Sequence, residues 1–129
     1  MDDKRKEIEE GLCQFIGTDQ WHEHPFGLLY TDGIKWLADN AGAGCYWLID
    51  LVASHQPKIR RRLAQAGERD FQVWRLRHLP SGSWIVDVWT DTPGKSLKLA
   101  SQKIPCSDFP LDTFEWFVAE GIMLLKSEN

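Results

Sequence analysis

No two cysteines in this chain are close enough to suggest paired chemistry. Cys13, Cys45 and Cys106 are far apart and odd in number, and no Cys-x-x-Cys motif is present. That argues against a disulfide framework and for free, mostly buried thiols in a reducing compartment. Long apolar runs are also missing. None approaches the roughly 18 residues that a membrane span needs. The opening MDDKRKEIEE is charged and has no apolar signal segment. The expectation is a cytoplasmic chain with no membrane partner.

Positive charge is in deficit. Lys and Arg number 15 against 19 Asp and Glu, giving a net charge of -4 and a pI near 5.5. General polyanion binding relies on lysine and arginine neutralising phosphates, so this balance argues against it. There is no internal repeat, low-complexity tract or long linker, and 129 residues fit one domain, 1–129. Gly42-Ala43-Gly44 is too short for a phosphate loop and lacks the lysine and hydroxyl that follow one. No cofactor is expected.

Tryptophan is in excess, with seven residues. Trp21, Trp36 and Trp47 fall within 18–56, together with three of the four histidines. Such a large ring carries one polar handle that needs a partner when buried. The stretch reads as a packed helical layer with a site at its edge.

Periodicity predicts a helix over 3–15, with Ile8, Leu12, Phe15 and Ile16 on one stripe. Thr31 is a good N-cap for a second helix carrying Ile34, Leu37, Ala38 and Ala41. After the Gly-Ala-Gly break a third helix carries Leu48, Leu51, Val52 and His55, and Pro57 is expected to end it. Two segments, 71–79 and 84–90, flank the turn sequence Pro80-Ser81-Gly82-Ser83. A second turn, Thr92-Pro93-Gly94-Lys95, leads to 96–104. These give a three-stranded antiparallel meander. Over 113–125, Phe114, Phe117, Val118, Gly121, Ile122 and Leu125 fit a helical stripe behind an Asp112–Glu115 capping box. The fold expected is α+β: N-terminal helices, a three-stranded antiparallel meander, and a C-terminal helix packed on the sheet.

Four groups of residues carry candidate chemistry. His22, Glu23 and His24, with His55 or Asp32, could hold a divalent metal and support hydrolysis. Their spacing differs from the helical zinc signature, and the plainer reading is a polar loop beside Trp21. Cys45 and His55 could form a thiol pair, but a buried cysteine usually packs as a small hydrophobe. Lys58, Arg60, Arg61 and Arg62, with Arg69, Arg75, Arg77 and Trp74, could form a cationic patch with an aromatic platform for nucleic acid, against the plainer reading of a solvated helix end. Asp87 sits mid-strand and Asp91 opens a turn, which needs no catalytic role.

The run TDQWHEHPFGLLYTDGIKWLADNAGAGCYWLIDLVASHQ, with FQVWRL and DFPLDTFEWFVAEGIMLL, resembles a family of short uncharacterised proteins of bacteria, phages and plasmids. YTDG, YWLID, ASHQ and DFPLD are specific as a set. The resemblance implies a one-domain protein of mobile elements and assigns no catalytic residue. The function expected is therefore a non-enzymatic protein-binding module, either an interaction partner or an inhibitor of a host complex. Asp2, Asp3, Glu7, Glu9 and Glu10 would offer carboxylates to a basic groove. Trp74, Trp89 and Trp116 cannot all belong to one stripe. At least one of them is expected to stay partly exposed and mark the partner or self-association surface.

Overall fold

The computed structural model describes residues 2–90 and 96–129. Helix α1 (Asp2–Leu12) buries Ile8 and lies against α2 (Asp32–Asn40). A Cβ on Gly11 would stand 2.0 Å from the Trp36 ring, so only glycine lets the indole lie on α1. Thr31 caps α2 as its sequence implies, its Oγ1 accepting from the Ile34 N–H at 3.4 Å. Gly42 and Gly44 have φ of 58° and 109° and turn the chain into α3 (Tyr46–Gln65).

Helix α3 runs straight through Pro57, correcting the expectation that proline ends it. Proline forfeits one backbone bond. Leu48, Val52, Gln56, Ile59 and Leu63 continue one buried stripe on both sides of it, and that packing holds the helix together.

Among the described residues seven strands form one mixed sheet. They are β1 (Trp21–Glu23), β2 (Leu29–Thr31), β3 (Phe71–His78), β4 (Trp84–Trp89), β5 (Lys98–Ile104), β6 (Thr113–Ala119) and β7 (Ile122–Leu125). Their order is β1-β2-β7-β6-β3-β4-β5, and every neighbouring pair is antiparallel except β2–β7. The three-stranded meander with a C-terminal helix is thus overturned. The turn at 92–95 lies outside the described residues.

The largest correction falls on 113–125, which is a hairpin and not a helix. Glu120 and Gly121 both take positive φ, 51° and 81°, the backbone of a two-residue turn that suits a right-twisted hairpin. Along β6, Phe114, Trp116 and Val118 face the helices, while Glu115, Phe117 and Ala119 face away. Trp116 stacks between Trp74 (5.8 Å between centroids) and Phe114 (5.5 Å). Contacts of this kind contribute about 0.5–1.5 kcal/mol each beyond their buried area.

The helices fill one face of the sheet. Beneath α3, the buried Gln72 and Gln56 exchange two amide hydrogen bonds of 2.8 and 2.9 Å, and Gln72 Oε1 also accepts from the Trp74 indole N–H at 2.8 Å. The other face presents Phe71, Val73, Trp89 and Phe117 beside a row of ion pairs. Arg75 and Lys126 meet Glu115, while Arg77 and Lys98 meet Asp87.

Candidate functional site

The histidines are parted rather than gathered. Residues 21–23 form strand β1, which the sequence reading missed. His22 meets Asp32 at 2.9 Å, His24 meets Asp50 at 2.7 Å, and His55 meets Gln102 at 2.7 Å. Each imidazole therefore has its own partner, and Glu23 is exposed. Among the described residues no three His, Cys, Asp or Glu side chains are grouped to hold a metal ion. Asp32 also accepts from the backbone N–H groups of Asp19 and Gln20. The His22 hydrogen bond leads in holding its carboxyl below the ordinary value of 3.8, and those two N–H groups add to it.

His24 does something more specific. Its Nδ1 accepts from the Phe26 backbone N–H at 3.0 Å, so the proton sits on Nε2 and is donated to Asp50. Both ring nitrogens are engaged, which leaves none for general-base work. They fix the tip of the β1–β2 hairpin to α3. Gly27, with φ of 94°, completes the tip, and Gly27 N–H bonds back to the His24 carbonyl at 2.8 Å. Phe26 stands 75% exposed on this tip, its ring edge-on to His24.

Beside Phe26 lies a hollow of about 770 Å³. Helix α3 contributes Trp47 and Leu51, and the end of β5 contributes Ile104 with Pro105. Asp50, Ser54, Gln102 and Lys103 supply its polar rim. A second hollow of about 530 Å³ lies on the other side of Phe26, over Ala53 and Pro57. An aromatic ring on a clamped turn thus stands next to a largely apolar recess.

The other candidates are placed as follows. Cys45 is buried, its Sγ 3.4 Å from the Leu37 carbonyl, and burial pushes its thiol up to about 12. A thiol so held forms no thiolate at neutral pH, and His55 faces Gln102 instead. Cys13 and Cys106 are exposed. The basic run lies on α3 itself. Arg60 pairs with Asp70 at 2.9 Å, Arg62 donates to the Leu99 carbonyl at 2.6 Å, and Lys58 and Arg61 are exposed. Trp74 and Trp116 are core residues, 1% and 0% exposed, whereas Trp89 is half-buried on the open sheet face with the Lys98 ammonium 5.7 Å from its ring centre. Asp87 is 3% exposed and held by Arg77, Lys98 and Ser101. Glu7, Glu9 and Glu10 are exposed on α1, and the side chains of Asp2 and Asp3 lie outside the described residues.

Sequence reasoning missed Phe26 as the prominent surface ring. The signal was present in Pro25-Phe26-Gly27, an aromatic residue set between two turn formers.

This small mixed-sheet domain with a clamped hairpin tip has a match among protein families. A family model described as "Family of unknown function (DUF6876)" covers residues 6–129, and the chain belongs to that family. No curated protein and no solved structure matches it. No helix among the described residues is long and apolar enough to cross a membrane.

Proposed function

We propose that this chain is a non-enzymatic protein-binding module whose anchor is Phe26. One observation carries the reading: the ring is 75% exposed, yet the turn beneath it is tied down by both nitrogens of His24. Exposed apolar surface normally marks an interaction site when it is concentrated and rigid. Here the partner contributes a side chain to the hollow over Leu51 and Ile104, and receives Phe26 in return. The finer reading, a mobile-element protein that inhibits a host complex, is supported by the sequence resemblance and by the exposed carboxylates of Glu7, Glu9 and Glu10.

The test is affinity capture from the native host with the full chain, alongside Phe26→Ser. A partner retained by the natural chain and lost with the substitution supports the proposal. A partner held equally by both removes Phe26 from the interface. Capture of no protein, together with turnover of a small substrate by the purified chain, would sink the binding reading.

A further inference from the structure

Strand β5 is an end of the sheet, and among the described residues no strand pairs with its outer edge. Such an edge presents unpaired N–H and C=O groups that another strand can use. Helix α3 runs beside it in the opposite sense. The contacts climb in step: Leu51 and Ile104 line one hollow, His55 meets Gln102, and Arg62 meets the Leu99 carbonyl. From Leu51 to Arg62 the helix rises about 16 Å at 1.5 Å per residue. From Ile104 back to Leu99 the strand covers about 16 Å at 3.3 Å per residue. Helix and strand edge therefore flank one another over the whole length of β5.

The flank is graded in chemistry. Leu51, His55, Lys58 and Arg62 fall on one stripe of α3 at helical spacing. The end near Phe26 and Trp47 is apolar. Lys103 and Asp50 stand on the rim at that end. The other end carries the exposed Lys58 and the Arg62 guanidinium. The Arg62 bond to Leu99 shows that edge acceptors of β5 lie within reach of α3, and it closes the groove at that end.

We propose that the groove between α3 and β5 receives an extended segment of the partner protein, added as a further strand on β5. The segment carries an aromatic or branched apolar residue in the Trp47–Leu51–Ile104 hollow, and an acidic residue four or five positions away beside Lys58 and Arg62. Backbone pairing gives the affinity and the two end contacts give the selectivity. A second copy of this chain is the poorer occupant. Antiparallel pairing of two β5 edges brings Lys98 of one toward Lys103 of the other, and like charges there repel. This inference rests on the protein-binding reading and adds the partner's conformation and charge.

The experiment pans a display library of random decapeptides on the full chain. A synthetic peptide of the most enriched sequence is then titrated by fluorescence anisotropy. Enriched sequences should carry the apolar and acidic residues at that spacing. Lys58→Glu, an exposed position, should weaken binding about ten-fold or more, as reversal of a paired charge does. N-methylation of the peptide should abolish binding at every second residue and be tolerated between, the mark of a one-edged strand. No enrichment, indifference to Lys58→Glu, or N-methyl sensitivity without alternation overturns the proposal. Binding of a labelled oligothymidylate that Lys58→Glu abolishes, with no peptide bound, assigns these cations to nucleic acid and also overturns it. A captured partner that depends on Phe26 but ignores Lys58→Glu would leave the protein-binding reading standing and remove only strand addition.

Discussion

Replacing Gln72 with leucine should cost this protein more than replacing Gln72 and Gln56 together. Gln72 is fully buried and its amide serves three bonds, two with Gln56 and one from the Trp74 indole. Leucine fits the volume but offers no acceptor. Gln56 Oε1 and Trp74 Nε1 then lose their partners, while Gln56 Nε2 keeps the Val52 carbonyl at 3.2 Å. Each buried group left unsatisfied costs about 1–3 kcal/mol, so the single change should cost about 2–6 kcal/mol, less a fraction returned by burying leucine. That is a large part of the roughly 5–15 kcal/mol that holds a domain of this size together. In the double variant Gln56→Leu with Gln72→Leu, only the Trp74 N–H is orphaned, and the cost should fall toward about 1–3 kcal/mol. Urea unfolding of the four proteins, followed by circular dichroism, closes the cycle. A single variant within about 0.5 kcal/mol of the natural chain, or a double variant showing the plain sum of the singles, would refute the reciprocal-amide account.

Three further outcomes follow from the packing. Gly11→Ala drives a methyl group into the Trp36 ring, and the α1–α2 contact should loosen by about 1–3 kcal/mol in the same unfolding assay. Native thiol labelling should modify Cys13 and Cys106 and spare Cys45 until denaturant is added, since Cys45 is both buried and held to about 12; fast modification of all three would contradict the burial. Asp32 has a carboxyl depressed below 3.8 in the folded chain, so its contribution is present above that value and is lost as pH falls through the folded value. Asp32→Asn should therefore flatten the acid limb of a stability-against-pH curve, and an unchanged limb below pH 3.8 would show that the carboxylate's bonds do not matter.

What could be read from the sequence divides by whether one face of an element differs from the other. Helix α2 was plain because Thr31 caps it and its apolar stripe is narrow. The β3–β4 hairpin was plain because Pro80-Ser81-Gly82-Ser83 separates two strands of β-forming residues. Residues 113–125 misled because both faces of β6 and β7 carry large apolar residues. Phe114, Phe117, Val118 and Ile122 then match a helical period as well as they match alternation. One residue kept the true period: Trp116 falls off the helical arc but lies in phase with Phe114 and Val118 on a strand. Pro57 misled for the opposite reason. A local rule about proline was outweighed by Ile59 and Leu63, which only tertiary packing could reveal. The site was half visible. His24 stood out as chemistry, yet its role depends on Asp50, far along the chain, and on the N–H of Phe26, and no spacing rule encodes either.

The parallel pairing of β2 with β7 sets an order on assembly. Strand β2 enters the sheet only through β7, with Leu29 beside Ile122 and Tyr30 beside Met123, nearly the whole chain apart. A ribosome that has made α1, β1, β2 and α2 has therefore made a unit with nowhere to dock. Glu128 reinforces this, since it accepts from the Thr31 hydroxyl at 2.6 Å and from the Gly33 N–H, at the very start of α2. The hairpin that carries Phe26, held to α3 through His24 and Asp50, joins the rest of the sheet only after β7 emerges. Contacts this distant in sequence make for slow, late closure, and they tie the seating of β2 to the emergence of β7.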